Sequence, residues 1–321
     1  EKKGQEGLTL MRNRHSTVMK NWPTCQILSM LPKGQSEKEE ELLAGYLVKE
    51  ARALDDAGNY SSAQTTLETA LARYENVLGA DHPDLVRLVL VDLAGVYRKQ
   101  ANYAAAEQLY RRSLSAAPFL LMRTGNLFAA TFLSEWATLY VDQGRLEKAE
   151  SRYLRALDIR ERLLGSESYE VADTLTDLAG IYSLQGRHAE ALPVYERALE
   201  LYEKLSPDGV GVARICNDIA VFLTTRGRFG EAEPFLKRTL EIYEKALDPN
   251  HPVLATSLGN LASIYHHQEL YAESEKLYQR VTVIQKKMLG REHPDNAVTL
   301  NNWATMYRSQ GDYAEAARLY N

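Results

Sequence analysis

The sequence predicts an all-α fold, an array of antiparallel helix pairs, and three observations predict it. An apolar residue followed by Ala, in most copies with Tyr three positions beyond that Ala, recurs at Leu93, Trp136, Leu178, Ile219, Leu261 and Trp303, in steps of 43, 42, 41, 42 and 42 residues. A fixed period of this length marks a stacked array of one supersecondary unit. Within a copy the apolar residues fall at helical spacing, as in Leu133, Trp136, Ala137 and Tyr140, which places them on one stripe of a helix. No unit alternates apolar and polar residues with period two, so strands are not expected.

Each unit reads as two helices. Helix A carries the anchor and stops at a short break, "VDQGRL" in the third copy, where Gly144 supplies the backbone freedom to end a helix. Helix B follows with its own stripe of Leu146, Ala149, Tyr153 and Ala156 and runs to Leu164. Linkers such as "LGADHPD", "LDPNHPV" and "LGREHPD" end helix B, and their Pro can open the next helix A. A weaker copy one step earlier aligns Ala51, Leu54, Gly58, Tyr60 and Ala63 with Ala94, Tyr97, Ala101, Tyr103 and Ala106. The expected units are 41–83, 84–126, 127–168, 169–210, 211–252, 253–294 and a truncated 295–321, six whole and one broken. A chain starting at Glu1 and stopping inside a helix B is read as part of a longer protein. Neither helix of a unit buries its stripe alone, so stacking supplies the core and one elongated body is expected.

With 45% hydrophobic and 25% charged residues the chain has average globular composition, and its net charge of −5 gives no general attraction for nucleic acid or anionic lipid. Two cysteines, Cys25 and Cys216, make neither a disulfide framework nor a metal-binding spacing, so a cytoplasmic setting is expected. No apolar run is long enough to span a membrane.

Laid out in register, the sequence resembles the tetratricopeptide repeat family, and more closely its long-period kind found in kinesin light chains. The resemblance is carried by Leu175, Leu178, Ala179, Tyr182, Gly186, Ala191, Tyr195 and Ala198, and again by Leu300, Trp303, Ala304, Tyr307, Gly311, Tyr313, Ala316 and Tyr320. The linkers from Leu78 to Pro83 and from Leu289 to Pro294 strengthen it. The second unit departs from the pattern at Ala101 and Ser113, and the sixth at Glu269, Ser274 and Val281. The resemblance implies a right-handed superhelical solenoid whose A helices line a concave face that binds protein segments.

Helical geometry names the candidate site. The residue just before each anchor points almost opposite to the packed stripe. That position holds Lys49, Asp92, Glu135, Asp177, Asp218, Asn260 and Asn302. The resemblance implies that Asn260 and Asn302 bond to an extended peptide backbone, and Asn217 and Asn301, one position earlier, join them as peptide-binding candidates. Four acids at one structural position argue by charge complementarity for a partner carrying Lys or Arg. A clamp for a terminal carboxylate is not expected, because the positions preceding the ladder hold Val48, Val91, Ser134, Thr176, Asn217, Gly259 and Asn301, none of them basic.

Catalysis, cofactors and metals are not expected: no phosphate-cradling or zinc-protease motif occurs, and "DGVGV" at Asp208–Val212 follows no strand. His266 and His267 read as a polar pair, His82, His251 and His293 as helix-boundary residues, and Cys216 as a core residue. Lys276, Arg280, Lys286, Lys287 and Arg291 read as a solvated face of helix B in the sixth unit. Residues 1–40 lie outside the repeat. Up to Lys38 they are basic and partly apolar, which leaves three roles open: an internal ligand for the groove, a cap on the first unit, or a linker. The sequence thus predicts a non-catalytic interaction scaffold, with a regulatory arm of a larger enzyme as the alternative.

Overall fold

The computed structural model describes residues 37–118, 126–290 and 294–320. They form fourteen α-helices in seven pairs, with no strand among the described residues. The pairs are α1 (Glu37–Asp56) and α2 (Tyr60–Leu78), α3 (Val91–Lys99) and α4 (Tyr103–Ala116), α5 (Leu127–Asp142) and α6 (Leu146–Leu164), α7 (Tyr169–Leu184) and α8 (His188–Leu205), α9 (Val210–Thr224) and α10 (Phe229–Ala246), α11 (Pro252–His267) and α12 (Tyr271–Leu289), and α13 (Pro294–Gln310) and α14 (Tyr313–Tyr320). Two compact units divide between Leu163 and Leu164.

Every pair turns in the same way. The residue that ends helix A has positive φ in all seven: Gly58, Ala101, Gly144, Gly186, Gly227, Glu269 and Gly311. The next N–H then donates back to the carbonyl five residues earlier, as in Asn59 to Leu54 at 2.9 Å, Arg145 to Tyr140 at 2.8 Å and Leu270 to Tyr265 at 2.8 Å. This closes the helix end by satisfying an otherwise orphaned carbonyl. Two positions where the sequence departs from Gly therefore keep the geometry that Gly would supply, with Ala101 at φ 59° and Glu269 at φ 63°. A side chain in this region costs about 1–2 kcal/mol. Ala101→Gly is accordingly expected to raise unfolding free energy by about 1 kcal/mol, read by urea denaturation, and a loss on this substitution would contradict it.

The linkers between pairs bear out the boundary role of two histidines. His82 Nδ1 accepts from the Asp84 N–H at 3.3 Å, and His251 Nδ1 accepts from the Val253 N–H at 3.3 Å ahead of Pro252 at the start of α11. His293 and Arg291 lie outside the described residues, as do residues 1–36. The first helix starts at Glu37, so residues 37–40, grouped with the extension by their sequence, form its first turn. Glu37, Glu39 and Glu40 suit the positive end of a helix dipole, and Glu40 also accepts from Arg73 at 2.6 Å. Ahead of α3 a π-helical segment runs over Val86–Leu90, where the repeat pattern alone predicts plain helix.

Small residues hold the helices close. The anchor alanines Ala94, Ala137, Ala179, Ala220, Ala262 and Ala304 are fully buried. The two buried polar departures differ: Ser274 Oγ donates to the Ala262 carbonyl at 2.7 Å, whereas the buried Ser113 Oγ has no hydrogen-bond partner. In the first unit, Tyr110, Phe132, Trp136 and Tyr140 form a continuous aromatic core, and in the second Tyr278, Trp303 and Tyr307 occupy the corresponding role. Cys216 is buried, its thiol pushed up to about 11 by burial, which suits a core residue and not a nucleophile.

Ion pairs recur at nearly one repeat of separation. Between A helices, Arg52 meets Asp92, Lys99 meets Asp55 at 2.7 Å and Arg98 meets Asp142 at 2.9 Å. Between B helices, Arg112 meets Glu75, Arg238 meets Glu203, and Arg280 meets Glu244 at 2.5 Å. Each such pair at the surface adds little energy, so they serve register more than stability.

Candidate binding face

In the first unit the face is built from α1, α3 and α5. Lys49 is exposed, whereas Asp92 and Glu135 are half-buried. The neighbouring A helix screens them, which single-helix geometry does not take into account. Arg52, one repeat earlier, reaches Asp92 through Nε and Nη2, both at 2.8 Å. Burial nevertheless raises the Asp92 carboxyl above its ordinary range, outweighing the attraction of Arg52. A cleft of about 300 Å³ on this face holds Arg52, Asp92, Arg98, Lys99 and Glu135 together with Asp55. Acids and bases there are balanced, so the first unit offers a mixed-charge groove and not an acidic one. The partner of Asp92 is legible in hindsight, since Arg52 lies 40 residues earlier, close to one repeat.

In the second unit α7, α9, α11 and α13 supply the face. Asn260 Nδ2 donates to Asn217 Oδ1 at 3.2 Å, and Asn217 in turn hydrogen-bonds Asp218. A polar chain thus links α11 to α9. Asp218 is half-buried, and burial raises its carboxyl, offset in part by Asn217 and by the charge of Arg214. The Tyr195 phenol is pushed up to about 12 by burial, with the charge of Asp218 adding to this, that of Arg226 opposing it and that of Asp177 adding less. Asp177 itself is exposed. Asn301 and Asn302 are exposed on α13.

A second group on the same A helices escapes the sequence reading. Asp173 lies one turn before Asp177, and Arg214 one turn before Asp218. The Tyr202 hydroxyl donates to Asp173, while Arg214 Nη2 donates to both Asp173 and the Tyr202 oxygen. Burial raises the Tyr202 phenol strongly, and the carboxylate it faces adds to that. The available signal was again the repeat spacing, because Asp173 and Arg214 are 41 residues apart.

His266 and His267 stack on each other at 5.0 Å, His267 stacks on Phe229 at 4.4 Å, and His266 Nε2 meets Ser309 Oγ at 3.1 Å. This is a packed polar pair. No group of three His, Cys, Asp or Glu side chains among the described residues is placed to hold a metal ion. Arg280 of the basic face pairs with Glu244. No helix among the described residues is long and apolar enough to cross a membrane.

The family model for the tetratricopeptide repeat matches residues 43–118, 128–204, 211–282 and 254–321. The chain belongs to the tetratricopeptide repeat family. Solved structures share the fold of this tetratricopeptide repeat chain. TPR-like repeats assigned to a kinesin light chain of Podosopora anserina are 24% identical, with a TM-score of 0.54, covering 60% of this chain and 92% of that one. A Rap protein in complex with Competence and Sporulation Factor is 18% identical, with a TM-score of 0.57, covering 99% and 94%. A signal transduction ATPase with numerous domains from Pyrococcus horikoshii, carrying a tetratricopeptide repeat sensor, is 13% identical, with a TM-score of 0.65, covering 99% of this chain and 47% of that one. The comparison with curated proteins gives no match. Repeats of this family make a protein-interaction scaffold, and the kinesin-light-chain-like kind accounts for the period near 42 residues.

Proposed function

We propose that this chain binds an extended segment of a partner protein along the face of its A helices, without catalysis, and that the segment carries Lys or Arg. The observation that carries this reading is the polar chain from Asn260 through Asn217 to Asp218. An Asn amide offers two donors and an acceptor, so the pair can meet both backbone groups of a peptide. Asp177 and Asp218 supply negative charge beside it, while Asp92 and Glu135 share their cleft with Arg52, Arg98 and Lys99. The preference for cations is therefore assigned to the second unit. The Rap protein bound to Competence and Sporulation Factor supports use of this fold in capturing a factor, and the ATPase with its repeat sensor favours a second reading, a regulatory arm of a larger protein. Residues 1–36, basic and partly apolar, are the candidate occupant from the same chain, since Glu37 and Lys38 belong to α1.

Partner proteins captured from lysate identify the segment, and synthetic versions of it give affinities. Asp177→Asn with Asp218→Asn is expected to weaken binding about tenfold or more and to flatten its salt dependence. Asp92→Asn with Glu135→Gln is expected to change affinity less than threefold, about 0.6 kcal/mol. Equal losses from the two pairs would return the cation site to the whole ladder, and no loss from Asn217→Ala with Asn260→Ala would remove the backbone contact.

A further inference from the structure

A cavity of about 610 Å³ in the second unit opens where α7, α9 and α11 begin. Its walls are mostly apolar: Tyr169, Tyr202, Val210, Tyr243, Leu247 and Val253. Three of these are exposed despite their size, Tyr169 at 46%, Val210 at 51% and Val253 at 37%. The volume lies within the range of side-chain and small-ligand pockets.

The carboxylate and the guanidinium of the lining are already paired with each other. Asp173 accepts from Tyr202 and Arg214, and both hydrogen bonds of Arg214 use Nη2. The guanidinium is neutralised by Asp173, so the cavity holds no surplus positive charge for an anion. What it can still gain is burial of apolar surface. Gly211 shapes the wall, since a Cβ there would lie 2.6 Å from the Tyr202 ring, so the chain opening α9 lies directly against that ring.

Charge at the rim fixes the rest of the occupant. Arg214, a wall residue, lies one turn before Asp218 on α9, so Asp218 stands next along the helix from the cavity. Asp218 and Asp177 stand one helical turn along from Arg214 and Asp173, about 6 Å. An extended segment advances about 3.3 Å per residue, so two residues cover that offset, and residues two apart project to the same side.

We infer that this cavity receives one bulky apolar side chain of the partner segment, with a Lys or Arg two residues away reaching Asp177 and Asp218. The inference rests on the groove reading above and adds a sequence preference to it.

Fluorescein-labelled octapeptides in a Gly-Ser background, carrying Phe and Lys two residues apart, test it by anisotropy against the full chain. Replacing Phe by Ala is expected to weaken binding about tenfold or more. Moving Lys next to Phe, or replacing it by Glu, is expected to do the same. Val253→Trp fills the mouth from an already exposed position and should abolish the Phe advantage while leaving the melting curve by circular dichroism unchanged. Val210→Glu serves as a second block. Asp218→Asn should abolish the Lys advantage and spare that of Phe. Equal binding of Phe and Ala peptides, a Phe advantage that survives both blocking variants, or no binding by any peptide overturns the cavity assignment. Lys-dependent binding lost in Asp177→Asn with Asp218→Asn, but blind to Phe, overturns the cavity alone and leaves the groove reading standing. A Phe advantage with no response to Lys overturns the cation half and the basic-partner reading with it.

Discussion

Replacing Trp136 by Ala is expected to remove about 3–5 kcal/mol of stability from the first unit. Trp136 is 4% exposed and stacks on Tyr110 at 5.9 Å and on Tyr140 at 5.9 Å, with Phe132 edge-on at 5.7 Å. Arg152 covers its remaining face at 4.4 Å. Removing the indole leaves a cavity between α4 and α5 and takes one partner from each ring, and aromatic pairs add about 0.5–1.5 kcal/mol beyond burial. One term opposes the loss: the buried Trp136 Nε1 has no hydrogen-bond partner, so its removal also relieves an unsatisfied donor. For that reason Trp136→Phe, which keeps a ring and drops the donor, should lose less than half as much. Chemical denaturation gives the energies, and amide exchange gives the location, with protection falling first across α4 and α5. A loss below about 1 kcal/mol for the Ala variant would mean that neighbouring repeats, not this cluster, carry the unit.

The fold was legible because the repeat multiplies a weak signal. A single Leu-Ala pair with a nearby Tyr says little, but six of them at one spacing locate six of the seven A helices, and a weaker copy one step earlier locates the first. Turns were legible where they used Gly. At Ala101 and Glu269 the residue type hides a left-handed backbone that the surrounding repeat imposes. The candidate face was legible in position and not in environment: helical geometry put Asp92 and Asp218 on the unpacked side, but both are half-buried in the structure. Arg52 beside Asp92, and Arg214 beside Asp173, arise from juxtaposition across one repeat, which single-helix periodicity does not contain. The π-helical segment ahead of α3 had no signal in the repeat pattern at all.

Two glycines in A helices give opposite expectations for one substitution. Gly259 lies inside α11, and a Cβ added there would meet nothing within 4 Å, so Gly259→Ala gains helix propensity at no steric cost, about 1 kcal/mol of added stability. Gly211 sits in the first turn of α9, where the same Cβ would meet the Tyr202 ring at 2.6 and 2.7 Å. Tyr202 cannot swing away cheaply: it is 2% exposed and its hydroxyl is held by Asp173 and Arg214. Gly211→Ala must therefore displace the ring, the start of α9 or the polar trio, and overpacking of this kind costs about 1–3 kcal/mol. The propensity gain is smaller in a first turn than in a helix interior, so the clash decides the sign. Because the displaced ring is also a wall of the second-unit cavity, Gly211→Ala should lower the affinity of the Phe-containing octapeptide together with stability. If both substitutions stabilise, the contact between Tyr202 and the backbone of α9 is looser than 2.6 Å requires, and the cavity wall is free to adapt to its occupant.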